Sequence, residues 1–182
     1  FKSSILLRRP IPVPLPESKK RRWAEPHLYT RYLDMGKIIA VVSGKGGTGK
    51  TSFTANVGLA LAALGKSTLC LDCDITLRNL DLALGQLNVT MEQMKRLLDQ
   101  VRQQYDYCLI DAPAGLGQGF QLATGCADCV VVITTTDASA LRDAQHTVMI
   151  LDKRFTTESL FLVVGRVQKK LLRALHSTID DA

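Results

Sequence analysis

KIIAVVSGKGGTGKTSFTANVGLALAALG, residues 37 to 65, sets three structural instructions side by side. The β-branched run 37–43 predicts a buried strand, and the Ala- and Leu-rich stretch 51–65, closed by Gly65, predicts a helix with a glycine C-cap. Between them Gly44, Gly49, Lys50 and Thr51 keep the spacing G-x-x-x-x-G-K-[ST]. Glycines in such a loop let backbone N–H groups converge on phosphate oxygens at a helix N-terminus. The expected phosphate-binding set is therefore Gly44, Lys45, Gly46, Gly47, Thr48, Gly49, Lys50, Thr51 and Ser52. Within it, Lys50 is expected to reach the β- and γ-phosphates and the Thr51 hydroxyl to coordinate Mg²⁺. Lys45 stands out, because an ordinary phosphate loop needs no cation directly after its first glycine.

Outward from this unit, apolar runs predict further strands at 67–72, 105–111, 129–135 and 160–165, and helices at 90–104, 117–125, 137–153 and about 167–178. Continuous apolar strands separated by helices imply an α/β fold: a doubly wound, mostly parallel sheet with helices on both faces and ligands at the carboxyl ends of the strands. Two of those ends carry carboxylates. CLIDAPAG places Asp111 at a strand tip, suited to hold Mg²⁺ through water, with Pro113 and Gly115 in the loop beyond. LCLDCD offers Asp72 and Asp74, two positions apart, either of which could orient an attacking water.

The 182 residues suit one ordinary domain, and 46% hydrophobic content fills a core. No apolar run approaches the ~20 residues of a membrane span, and the first residues lack the apolar core of a secretory signal, so a soluble, cytoplasmic protein is expected. The net charge is +6, yet residues 1–34 hold eight Lys/Arg against three Asp/Glu, leaving residues 35–182 nearly neutral. That basic arm contains Pro10, Pro12, Pro14, Pro16 and Pro26 and the run Lys19 to Arg22 beside Trp23, and is expected to be an extended linker or docking segment. Met35 makes a natural start and Phe1 does not, so the sequence reads as an excerpt, with 35–182 as the nucleotide-binding domain.

SGKGGTGKTS, LDCDITLRNLDLALG, YDYCLIDAPAGLGQGF and ADCVVVITTTDASALRDA together resemble the deviant Walker A ATPases of the MinD/ParA family, most closely the MinD branch. The resemblance covers about residues 35 to 182 and implies a P-loop NTPase of the SIMIBI type, an ATPase using ATP and Mg²⁺. It further implies a homodimer in the ATP state, in which Lys45 reaches across to the partner's phosphates as a catalytic cation supplied in trans. By the same resemblance Lys50 and Asp74 are catalytic, Asp74 orienting water. Thr51, Asp72 and Asp111 form the metal set. Arg78 and Asn79 lie in the first switch, and Pro113 and Gly115 in the second. The family's biology implies positioning of the division septum through reversible association with the inner face of the cell membrane. Its expected partners are a MinC-like division inhibitor and a MinE-like regulator.

Three departures accompany the resemblance. The interval between Asp81 and Asp106 is much shorter than in the family, which places another strand there. Gly165 stands where the family has an adenine-recognising Asn, and Thr76 replaces a glycine of the first switch. The tail places Val167, Leu171, Leu175 and Ile179 along one helical face, expected to be an ordinary surface helix rather than a membrane anchor. Other chemistry fares worse. Cys126 and Cys129 form a lone C-x-x-C expected to serve packing; Cys70, Cys73 and Cys108 are expected to be reduced and buried; His27, His146 and His176 are dispersed. A DNA-partitioning ATPase of the ParA type and a non-hydrolysing nucleotide-dependent interaction module stand as alternative functions.

Overall fold

Five strands and four helices alternate along residues 35–73 and 89–167, the residues that the computed structural model describes. Strand β1 (Lys37–Val42) leads through the glycine loop into helix α1 (Lys50–Ala63). There follow β2 (Thr68–Asp72), α2 (Met91–Gln104), β3 (Tyr107–Asp111), α3 (Gln118–Cys126), β4 (Cys129–Thr135), α4 (Ala138–Leu151) and β5 (Leu160–Gly165). The sheet order is β2-β3-β1-β4-β5 and every pairing is parallel. The chain runs outward from β1 to β2, then steps back across the sheet. With right-handed crossovers, this reversal puts α1 on one face and α2, α3 and α4 on the other, opening a crevice at the carboxyl end of β1.

Alternation along the strands builds two cores. Ile38, Ala40, Val42, Cys108, Ile110, Val130 and Val132 face Met94, Leu98, Phe120, Leu122, Ala144 and Leu151 of the three helices. On the opposite face Val41, Val131, Ile133 and Val163 form a smaller cluster with Ile39, Phe53 and Phe161. Helix α1 sits close to its strands because Gly58 has no side chain: a Cβ there would lie 2.6 Å from Cys70 Sγ.

Local chemistry sets the element ends. Helix α1 closes as expected at Gly65, with Lys66 N–H donating to Leu61 O (3.0 Å) and Gly65 N–H to Ala62 O (2.9 Å). Thr90 caps α2 reciprocally, accepting from Gln93 N (3.2 Å) while Gln93 Oε1 accepts from Thr90 N (2.9 Å). The strand expected from residue 105 starts instead at Tyr107, because Tyr105 still donates to Val101 O at the end of α2. The Asp106 carboxylate ties down Ser67 N–H (2.8 Å) and Oγ (3.0 Å), so β2 likewise starts one residue later than expected. The helix expected at 137–153 spans Ala138–Leu151, with Asp137 as its cap. The helix expected at 167–178 lies outside the described residues beyond Val167, as do the basic arm 1–34 and the segment 74–88.

At the amino edge of the sheet, opposite the glycine loop, Arg102 and Asp128 form a nearly buried ion pair. Arg102 donates to both oxygens of Asp128 (2.5 and 2.9 Å) and to Gly36 O (3.0 Å), while Asp128 Oδ2 also accepts from Ile38 N (2.8 Å). One pair thus fastens the end of α2 and the approach to β4 onto the start of β1.

Candidate nucleotide site

The loop from Ser43 to Gly49 rises from the central strand and ends on a helix that has no side-chain N-cap and no acidic residue in its first turn. A helix N-terminus in that condition holds unpaired N–H groups and the positive end of the helix dipole. Gly49, the residue before α1, has φ 101°, a left-handed conformation that a side chain resists, and a Cβ built there would meet open space. Gly44 is required for a different reason: a Cβ at that position would lie 2.8 Å from Asp143 Cβ and from Asp143 O, where α4 presses against the loop. The loop is therefore a concave, glycine-shaped cradle at the end of a helix, and its donors suit an anion.

The two lysines of the loop point to different partners. Lys50 Nζ donates to Ser43 Oγ (2.8 Å), and Ser43, fully buried, donates in turn to Lys45 O (2.7 Å). Lys45 Nζ reaches away to α4, donating to Asp137 Oδ2 (3.0 Å) and Ser139 Oγ (2.5 Å). Ser139 Oγ is itself 2.6 Å from Asp137 Oδ2, which also accepts from Ala140 N (3.3 Å) as the cap of α4. The Ser139 hydroxyl and the Lys45 ammonium hold the Asp137 carboxyl down at about 2.

The carboxylates expected at strand ends arrive together. Asp72 and Asp111 close adjacent strands and are register partners across β2 and β3. Asp111 is buried, and Val41, two residues before the loop's first Ser–Gly step, pairs with it on the other side. Beyond β3, Gly115 (φ 88°) donates its N–H to Ser43 O (3.0 Å), so the loop carrying Pro113 and Gly115 is stitched to the base of the glycine loop. At the end of β5, a Cβ on Gly165 would come within 3.9 Å of Thr48 O, which brings that strand end beside the cradle. The structure thus gathers Gly44 to Ser52, Asp72, Asp111, Pro113 and Gly115 at one edge of the sheet; Asp74, Thr76, Arg78 and Asn79 lie outside the described residues.

Sequence reasoning missed Ser43, Asp137, Ser139 and Asp143. The first was taken as the end of a strand, which in fact stops at Val42. Asp137 carried a legible signal as a helix N-cap, but nothing local tied it to a lysine 92 positions away. The cysteines are packing residues: all five are free, and burial pushes Cys73 up to about 12 and Cys108 and Cys129 to about 11. Cys70 is the exception to expected burial, being exposed on β2. Among the described residues no group of His, Cys, Asp and Glu forms a ready-made metal cluster, and no helix is long and apolar enough to cross a membrane.

Residues 39–116, from within β1 to Leu116 in the loop beyond β3, match the CobQ/CobB/MinD/ParA nucleotide binding domain. The chain is 34% identical to the septum site-determining protein MinD of Bacillus subtilis over 182 residues, covering 76% of this chain and 68% of that protein. The chain belongs to the MinD family. Among solved structures, MinD in the MinC:MinD cell division protein complex of Aquifex aeolicus superposes with a TM-score of 0.66 at 30% identity, over 80% of this chain and 75% of that one. The septum site-determining protein MinD of Pyrococcus horikoshii, complexed with Mg-ADP, gives a TM-score of 0.54 at 28% identity, over 70% and 68% of the two chains. The chain spans about two thirds of the length of such MinD relatives, and the Bacillus match uses 182 residues to take in only 76% of this chain. MinD of Bacillus therefore carries residues with no counterpart here, in keeping with the shortened middle.

Proposed function

We propose that this MinD-family chain is an ATP-dependent dimerising switch that hydrolyses ATP. We further propose that it serves placement of the division septum through reversible association with the inner membrane face and recruitment of a MinC-like inhibitor. The observation that carries the reading is the division of labour between two lysines of one loop. Lys50 is folded inward over the uncapped start of α1, whereas Lys45 leaves the loop with its side chain 46% exposed. A cation held outside its own phosphate cradle suits a role in a neighbouring one.

In this reading the amides of the loop and the Lys50 ammonium bind the triphosphate, and the α1 dipole adds to their field. Thr51, Asp72 and Asp111 would hold Mg²⁺, which when bound neutralises charge on the phosphate oxygens. Asp74 orients the attacking water, by family resemblance, and Lys45 of the partner completes the charge-stabilising shell. Pro113 and Gly115 transmit the state of the site through the Gly115 to Ser43 hydrogen bond. A MinE-like regulator would act by stimulating hydrolysis.

Light scattering with ATP and with ADP, each with Mg²⁺ and with or without anionic vesicles, tests the switch. A dimer in ATP alone, vesicle-bound, is expected; Lys50→Ala should lose nucleotide binding altogether. Failure of a fluorescent ATP analogue to bind the wild-type chain would overturn the proposal. Stimulation by DNA but not by vesicles would move the chain to the partitioning branch, and binding without turnover would leave a nucleotide-dependent interaction module.

A further inference from the structure

Arg166 departs from a backbone rule that the other described residues keep: apart from glycines, it alone among them has a positive φ, 56°. The left-handed region crowds the Cβ of any ordinary residue, and an outlier kept there is a place to look for function. Its position is the rim of the nucleotide site. Arg166 follows directly on β5, whose last residue, Gly165, is the register partner of Thr135. A Cβ on Gly165 would lie 3.9 Å from Thr48 O of the glycine loop. We propose that Arg166 is a nucleotide-binding residue whose guanidinium stacks on the purine ring of the nucleotide held by that loop. The inference rests on the nucleotide reading above.

The order of the strands decides which end of a nucleotide lies at this corner. Asp72 and Asp111 close β2 and β3 on one side of β1, the side suited to Mg²⁺ and the terminal phosphates. On the other side β4 and β5 end in Thr134, Thr135 and Gly165, which carry no charge and suit an uncharged base. β5 stands two strands from β1, about 10 Å away, which leaves room for a ribose between phosphates and base. Gly165 is not demanded by its backbone: its φ is not left-handed, and a Cβ would make only ordinary contacts, 3.5 Å to Thr134 O and 3.9 Å to Thr48 O. With no side chain at 165, the approach to the rim is open, and the next residue, exposed Arg166, brings a planar cation to it. Guanidinium planes stack on nucleic-acid bases, which a lysine ammonium, a point charge, does not do. Such a stack in a partly exposed setting is worth about three- to tenfold in affinity.

The experiment titrates wild type, Arg166→Gly, Arg166→Asn and Arg166→Lys with ADP and with inorganic tripolyphosphate, both with Mg²⁺, by calorimetry. Gly and Asn accept the left-handed backbone, so these variants keep the turn and remove the stack. Both should lose about three- to tenfold in ADP affinity while tripolyphosphate binds as to wild type. Arg166→Lys should lose as much, since it keeps the charge without the plane. Thermal unfolding without ligand should place Arg166→Gly and Arg166→Asn no lower than wild type, which separates binding from support of the fold. Wild-type ADP affinity in Arg166→Asn overturns the proposal. Rescue by Lys, or an equal loss for tripolyphosphate, also overturns it, by assigning Arg166 to the phosphates. Unfolding of both the Gly and Asn variants well below wild type overturns it too, by making the side chain structural. Should the wild-type chain bind neither ADP nor tripolyphosphate, the nucleotide reading itself fails; should it bind both and the variants match it, only the stack fails.

Discussion

Replacing Arg102 by Leu should destabilise the fold by about 3 kcal/mol while leaving nucleotide affinity unchanged. The side chains of Arg102 and Asp128 are 15% and 17% exposed, and the guanidinium satisfies both carboxylate oxygens as well as the carbonyl of Gly36. Removing the cation strands the Asp128 charge with the Ile38 N–H still donating to it. Breaking a buried pair this way costs about 3–5 kcal/mol, and the residual access of water places this case at the lower end. Asp128→Asn should cost less, about 1–2 kcal/mol, because an amide oxygen can still accept from Ile38 and the guanidinium keeps its backbone acceptor. Urea unfolding of both single variants and the double variant gives the pair's coupling, expected at about 1–2 kcal/mol. A fluorescent ADP titration supplies the second readout: the pair sits at the amino edge of the sheet, a full strand length from the glycine loop. A loss under about 1 kcal/mol for Arg102→Leu would show a solvent-screened pair and refute the reasoning; so would a large loss of nucleotide affinity in the folded variant.

Gly49→Ala should weaken nucleotide binding by about tenfold, since nothing lies within 4 Å of the added Cβ and the cost is left-handed backbone strain of about 1–2 kcal/mol; calorimetry with ADP measures it. Asp111→Asn should retain metal-free nucleotide affinity but lose the gain that Mg²⁺ confers, which paired titrations with Mg²⁺ and with chelator would reveal. For Asp137 the sign is set by a carboxyl lowered from 3.8 to about 2. Its contribution is fully present above the unfolded value and is lost as pH falls through the folded one. The cap of α4 should therefore persist through mildly acid solution and fail only near pH 2, as carbon NMR of the carboxyl would follow.

The strands were legible because a parallel strand buried on both faces must be apolar throughout, as in the interior strand CVVVITT, and because the edge strand LFLVVG is apolar as well. The glycine loop was legible because phosphate geometry fixes a spacing of nearby residues. Contacts that join distant segments were not legible. Arg102 and Asp128 stand 26 positions apart and no local pattern joins them; only the fold brings the end of α2 against the approach to β4. Lys45 announced itself by its position, but its holder could not be found without α4 in place. Cys70 was misjudged because β2 has one described neighbour, β3, so its apolar sequence does not guarantee cover.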